Sequence, residues 1–288
     1  MKLALGTAQF GLNYGIANQQ GRISHDEGAL ILRRANRAGI DTLDTAIAYG
    51  DSEQVLGELG MAQWRIVSKL PAIPADCADV AGWVAGQIAG SLERLGVSSI
   101  DAVLLHRPEQ LLGPLGPALV AALGGLKADR LVGKVGVSVY APEELDRLFD
   151  VMHFDLVQAP LSILDRRMTE SGWARRLKSL DVELHTRSAF LQGLLLMSSA
   201  QRPAKFHRWN TVWAEWDRWL AATGMTPLQA CLRYAISIDE VDRVLVGVDS
   251  AVQLQEILAA AHGPLVGMPA WPDALDPQLL NPACWSEL

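Results

Sequence analysis

Cysteine is scarce in this chain. Cys77, Cys231 and Cys284 are the full set, an odd number, far apart and in no metal-ligand spacing. A disulfide framework and a cysteine-based zinc site are thereby excluded, and the three read as free thiols of a reducing compartment. Long hydrophobic runs are lacking as well. No stretch is apolar enough for long enough to span a bilayer, and the start Met1-Lys2-Leu3-Ala4-Leu5 soon meets glycine and polar residues instead of a signal-peptide core. No long basic run interrupts a net charge of −7, which argues against nucleic acid or an anionic membrane as the main partner. A cytoplasmic protein with a small-molecule partner is the expectation. A Gly-rich dinucleotide turn is missing too: Gly6, Gly11 and Gly15 never make G-x-G-x-x-G. An open doubly wound sheet would normally carry one after its first strand.

What is present is an alternation. Short β-compatible runs lie at residues 3–5, 42–43, 65–68, 102–105, 132–137, 156–158, 182–186 and 244–246. Helical patterns fall around them at 26–38, 52–59, 80–95, 117–128, 142–149, 170–179, 227–238 and 252–261. Eight such strands predict a parallel sheet with right-handed crossovers, and at 288 residues, half of them apolar, closure into an (α/β)8 barrel is the best fit. No linker-like change of composition appears, so residues 1–288 read as one domain. Its irregular tail, about 263–288, carries Pro264, Pro269, Pro272, Pro277 and Pro282. Element ends have local causes. Ser24 is an N-cap with Glu27 as its capping-box partner, Gly39 and Gly96 stand where left-handed caps are wanted, and Pro142 and Pro227 suit first helical turns.

In a parallel barrel the C-terminal strand ends share one face. Asp44 ends the second strand, Lys69 the third and His106 the fourth, while Tyr49 lies in the loop leaving the second. The four should converge. A phenol with an unperturbed pKa near ~10 is a spectator at neutral pH unless a cation favours its ionised form. A lysine held by a carboxylate supplies that cation, and an imidazole can orient a substrate oxygen. Such a centre suits protonation of an oxyanion developing on a carbonyl that receives hydride. Taken singly, each residue has a bland alternative as a structural ion pair or a core histidine. Two other functions also stay open. The barrel could bind cofactor as a redox-sensing or regulatory subunit, or Asp44, His106 and His185 could hold a divalent metal for hydrolysis or isomerisation.

Motifs along nearly the whole chain carry a resemblance. Residues 5–11, Leu-Gly-Thr-Ala-Gln-Phe-Gly, look like the opening strand of the aldo-keto reductases, with Gly6 and Thr7 beside the cofactor. Asp44-Thr45-Ala46-Ile47-Ala48-Tyr49-Gly50 followed by Ser52-Glu53 is similar to the family's DTA-x-x-YG-x-SE signature. The run from Ser91-Leu92-Glu93-Arg94-Leu95-Gly96 to Asp101 and His106 resembles its SL-x-RLG…D-x-x-x-xH block. Gly133 to Ser138 resembles its G-x-x-x-GVS segment, and Leu156-Val157-Gln158 the strand supplying a cofactor-binding glutamine. The resemblance implies a barrel that binds NADP(H), with NAD(H) possible, in an extended pose.

It also implies roles. Tyr49 is the proton donor, with Asp44, Lys69 and His106 completing a tetrad. Ser138 and Gln158 meet the nicotinamide carboxamide, although Val139 stands where the family often has asparagine. Arg187 takes the place of an aromatic ring under the nicotinamide, free to stack flat or to turn toward a phosphate or an acidic substrate. Ser188, Phe190, Leu191, Gln192 and Gly193 are expected along the pyrophosphate. Gly247, Val248, Asp249, Ser250, Gln253 and Glu256 are expected at the adenosine end. Gln253 stands where arginine is frequent, and Asp249 would repel a 2′-phosphate, so the expected preference for NADPH is modest. Substrate is expected to meet Gln9, Phe10 and Tyr14 besides Tyr49 and His106. Trp209, Trp213, Trp216 and Trp219 form one helical face that reads as core packing.

Overall fold

The computed structural model describes residues 1–288 apart from 17, 19–20 and 272–274, with the side chain of residue 287 also left aside. Eight parallel strands close in sequence order: β1 (Leu3–Gly6), β2 (Thr42–Asp44), β3 (Arg65–Leu70), β4 (Ile100–Leu105), β5 (Val132–Ser138), β6 (Leu156–Pro160), β7 (Glu183–Arg187) and β8 (Arg243–Gly247). Pairing of β1 with β8, Leu5 opposite Val246, completes the ring. The fold is an (α/β)8 TIM barrel.

The strands are short and buried on both faces, the pattern of a sheet wrapped by helices. Val67, Ala102, Leu104 and Leu156 form a small apolar layer of their own, apart from the main core between strands and helices. The helices Ser52–Leu59 and Val80–Leu95 lie at the expected positions. Two extensions and one break matter. β3 continues to Leu70, which puts Lys69 inside a strand, and β7 runs to Arg187. The single helix expected at 170–179 is two, Arg167–Glu170 and Trp173–Ser179, because Gly172 between them adopts φ +83°.

The capping box expected at Ser24 is half-formed. Ser24 Oγ accepts from the Glu27 N–H at 3.3 Å, but the Glu27 carboxylate accepts instead from the N–H of Ala251, at 2.5 Å. Thr226 and Gln229 form the reciprocal box in full.

The tail is fastened to the β7–β8 connection. All four tryptophans of the stripe are buried around the helix Asn210–Thr223, and Trp216 stacks on Trp219. Trp271 reaches the same cluster and donates to Ile163 O at 2.8 Å, just beyond β6. Trp285 packs edge-on against Phe206. The basic residues before this helix are used in fastening: Arg202 pairs with Asp217, Lys205 donates to Trp285 O, and Arg208 pairs with Asp276. The tail thus flanks the end of the barrel where the strands terminate, on the β6–β7 side. None of its described residues lines the main cavity there. No described helix is long and apolar enough to cross a membrane.

Candidate active site

The loop after β2 is held by a buried hydroxyl cluster. Ser52 Oγ donates to Thr7 O at 2.9 Å and lies 3.1 Å from Thr45 Oγ1, while Thr7 Oγ1 donates to Asp44 O at 2.9 Å. The next residue, Glu53, is fully buried and accepts from Ser68, Ser91 and Arg94, tying this helix to β3 and to the helix Val80–Leu95. The Ser-Glu pair of the signature is therefore scaffold that fixes the loop bearing Tyr49. Two glycines let the segments meet: a Cβ on Gly11 would lie 1.8 Å from Tyr49 O, and one on Gly50, at φ +55°, would lie 2.6 Å from Gly11 O. Neither position admits a side chain.

On this support four groups gather. The Lys69 ammonium donates to Asp44 Oδ1 at 2.6 Å and to Thr45 O at 2.9 Å, and both side chains of the ion pair are almost fully buried. Lys69 Nζ also lies 5.0 Å from the centre of the Tyr49 ring. Tyr49 meets His106 edge-on, with ring centres 5.9 Å apart. Burial acts against the charge of Lys69, but the Asp44 carboxylate and the Tyr49 side chain outweigh it, so its pKa is raised and it stays an ammonium. His106 goes the other way. Burial first, and then the neighbouring Lys69 charge, bring its pKa down to about 4, so the imidazole is neutral at physiological pH.

Asp44 and Tyr49 open on a cavity of about 340 Å³. It runs from the tetrad past Gly6, Thr7, Gln9, Tyr14 and Gln158, along Arg187, Ser188, Phe190, Gln192 and Gly193, to Gly247, Asp249, Gln253 and Glu256. Sixteen residues singled out in the sequence thus share one wall. Gln158 makes a contact that the sequence did not suggest: its Nε2 donates to Asp44 Oδ2 at 2.7 Å, adding a fifth member to the buried network. Ser138 ends β5 beside Gln158 and is buried without lining the cavity.

Arg187 donates to Val139 O at 2.9 Å and stacks over the Tyr140 ring, with its guanidinium carbon 4.4 Å from the ring centre. No described carboxylate pairs with it. The segment after it curls tightly, with Ser188, Leu191 and Gln192 at φ +64°, +49° and +52°. Left-handed conformations of this kind in non-glycine residues cluster at ligand-binding sites.

Several expected positions are corrected. Phe10, Leu191 and Val248 are at most 1% exposed and belong to the main apolar core, not to the cavity wall. Ser250 is the N-cap of the helix Ala251–Ala260, its Oγ accepting from Gln253 N at 3.2 Å, and does not face the cavity. His185 is not with Asp44 and His106. It lines a void of about 10 Å³ bounded by Arg65, Asp101 and Arg243, at the other end of the barrel, with Nε2 3.5 Å from Glu183 Oε2. The three-residue metal reading falls on that separation. Among the described residues, no group of three His, Cys, Asp or Glu side chains is placed to hold a metal ion. Sequence reasoning missed Leu228, Leu245 and Ile257, apolar lining residues at the far end of the cavity. Nothing in a run of ordinary hydrophobic residues signals which of them faces a void.

The cavity fits an extended dinucleotide on one further observation. Asp249 Oδ1 is buried with no hydrogen-bond partner among the described residues. Burial raises the pKa of this carboxyl, against the hydrogen bond from the Gln253 side chain. An acceptor left without a donor at the end of a long pocket is suited to a sugar hydroxyl.

Known proteins place these features in context. The Aldo/keto reductase family matches the chain over residues 2–268. The NADH-specific methylglyoxal reductase of Escherichia coli (strain K12) is 25% identical over 271 residues, 79% of this chain and 80% of that protein. The aldo-keto reductase str7 of Strobilurus tenacellus is 28% identical over 203 residues, 67% of this chain and 58% of that protein; the chain thus spans under three fifths of that relative's length. Among solved structures, the glycerol dehydrogenase AKR11B4 of Gluconobacter oxydans superposes with a TM-score of 0.72 at 22% identity, covering 92% of this chain and 88% of the other.

Proposed function

The chain belongs to the aldo/keto reductase family, and from that premise we propose that it interconverts an aldehyde or ketone with the corresponding alcohol, using a nicotinamide dinucleotide, NADP(H) or NAD(H). The observation that carries this is the Tyr49 phenol at the mouth of a long cavity, 5.0 Å above an ammonium that is itself locked to Asp44 at 2.6 Å. Gly6, Gln158, the curled segment from Ser188 to Gly193 and the β8 end would hold the dinucleotide along the cavity.

A dihydronicotinamide held along the cavity would supply hydride to the carbonyl carbon. Negative charge then gathers on the substrate oxygen, and the Tyr49 hydroxyl passes its proton there, completing the alcohol. Lys69 stabilises the phenolate left behind, and Asp44 and Gln158 keep Lys69 in place. His106 is neutral, so it serves as a hydrogen-bond donor that orients the oxygen and not as the acid. In the oxidative direction the Tyr49 phenolate takes the proton from the alcohol. The test is a fluorescence titration with NADPH and NADH, followed by a panel of aldehydes, ketones and sugars with the tighter of the two. Binding and turnover support the reading. Absence of binding to either dinucleotide refutes it, and binding without turnover across the panel leaves a cofactor-binding regulator in its place.

A further inference from the structure

The helix Ala251–Ala260 begins at the far end of the cavity, where the adenosine ribose of a dinucleotide would lie. A helix start normally offers free N–H groups to a phosphate. Here two of them, and the Asp249 N–H just before the helix, are already taken. The Ala251 N–H donates to the Glu27 carboxylate at 2.5 Å, the Gln253 N–H to Ser250 Oγ at 3.2 Å, and the Asp249 N–H to Gln253 Oε1 at 2.7 Å. Glu27 comes from a helix between β1 and β2, 224 positions away in sequence. It brings a negative charge to the spot that a phosphate would otherwise use.

The cavity side is acidic as well. Asp249 and Glu256 line it, and among the described lining residues the one basic side chain is Arg187, at the end of β7. Arg34 is nearby but engaged elsewhere, donating to Ala251 O at 2.8 Å and to Gln255. A 2′-phosphate would therefore meet carboxylates and N–H groups that are largely occupied, with no cation among the described residues that line that end of the cavity. A 2′-hydroxyl would meet an acceptor that lacks a donor, Asp249 Oδ1.

We infer that Glu27 and Asp249 act together as a selectivity device, making this cavity take NAD(H) in preference to its 2′-phosphorylated counterpart. The inference rests on the dinucleotide reading above. Asp249 touches the ribose, as acidic residues do in other NAD sites. Glu27 is a positioning residue: it caps the helix and denies its N-terminus to a second anion.

The experiment measures dissociation constants by fluorescence titration of the full chain with NADH and with NADPH. At low salt the wild type should bind NADH tighter by roughly tenfold, the scale of one or two like-charge contacts near a protein surface. Glu27→Gln keeps a side-chain acceptor for the Ala251 N–H. It should tighten NADPH by roughly three- to tenfold and move NADH by less than about threefold. Asp249→Asn should narrow the ratio further, tightening NADPH while weakening NADH. Salt gives a readout independent of any variant: screening should strengthen NADPH binding if the 2′-phosphate is repelled, and weaken it if the phosphate is paired with a cation. Wild-type binding of NADPH as tight as that of NADH overturns the inference. A Glu27→Gln protein in which both dinucleotides weaken in parallel removes Glu27 from it and leaves a purely structural cap. If neither dinucleotide binds the wild type, the proposed function itself fails, an outcome distinct from either of these.

Discussion

The two ends of the barrel both hold buried or half-buried charge, and they differ in what faces it. At the N-terminal end, Arg65 pairs with Asp101, Lys134 and His185 with Glu183, and Arg243 with Asp41. The space left among them is about 10 Å³, too small for any ligand. At the C-terminal end the Lys69–Asp44 pair is more deeply buried than any of these, yet it lies under a phenol that opens on a cavity of about 340 Å³. Lysine–carboxylate pairs occur at both ends. A pair with almost no open volume beside it is a plug, and a pair with a polar neighbour and open volume has room for a ligand. The apolar layer of Val67, Ala102, Leu104 and Leu156 stands between them. That separation lets substitutions test the two ends independently.

The largest expected effect is on turnover. Tyr49→Phe should lower kcat by a factor of roughly 10²–10⁴, the usual worth of a positioned general acid, while dinucleotide affinity stays within about threefold. Steady-state oxidation of the reduced cofactor, read beside a binding titration, separates the two quantities; an unchanged kcat would show that the proton comes from elsewhere. Lys69→Met should match that loss of turnover and also unfold more easily, by about 3 kcal/mol in a denaturant titration, because Asp44 is left as a buried charge with only Gln158 to hold it. The double variant Tyr49→Phe/Lys69→Met should turn over little more slowly than either single one if the two act as a unit.

Stability against pH sharpens the contrast. His106 has a folded pKa of about 4, below its ordinary 6.5, so its contribution is complete above about pH 6.5 and is lost as pH falls from there toward 4. Glu183, hydrogen-bonded to His185 and Lys134, sits at about 2 against an ordinary 4.5. Its contribution is complete above pH 4.5 and is lost between there and about pH 2. Thermal unfolding followed across pH should show the upper window vanish in His106→Gln and the lower one in Glu183→Gln. A single merged transition unaffected by either variant would contradict the assignment. The smallest effect belongs to Lys134→Met, whose ion pair is partly solvated. It should cost no more than about 1 kcal/mol and leave kcat unchanged, and a large loss of activity would mean that the two ends are coupled.

Much of this was legible in advance because strand ends in a parallel barrel share one face. The spacing of Asp44, Lys69 and His106 needs no tertiary knowledge beyond that rule, and the structure brings the three together with Tyr49. Helix starts set by local chemistry, such as Pro227 in a first helical turn, are equally readable. Other positions depended on neighbours distant in the chain. Phe10, Leu191 and Val248 stand within motif-like runs, but which side of a loop faces the core is decided by the curl of its backbone. Residue type alone groups His185 with Asp44 and His106, while its place in β7 points it to the opposite end.

Glu27 marks the boundary most clearly. Its position three residues after Ser24 satisfies a local pattern, and sequence determines that a carboxylate stands at that helix start. Where the carboxylate goes is a competition between two N-termini. Closure of the ring through β1 and β8 brings the start of the helix Ala251–Ala260 within its reach, and the distant N–H of Ala251 takes it. The alternation of apolar runs, the reactive residues at their ends and the caps are properties of short segments, fixed by backbone chemistry and side-chain type. The void above Tyr49, the partner of Gln158 and the charge at the far end of the cavity arise only when segments hundreds of residues apart are pressed together, and tertiary structure alone decided them.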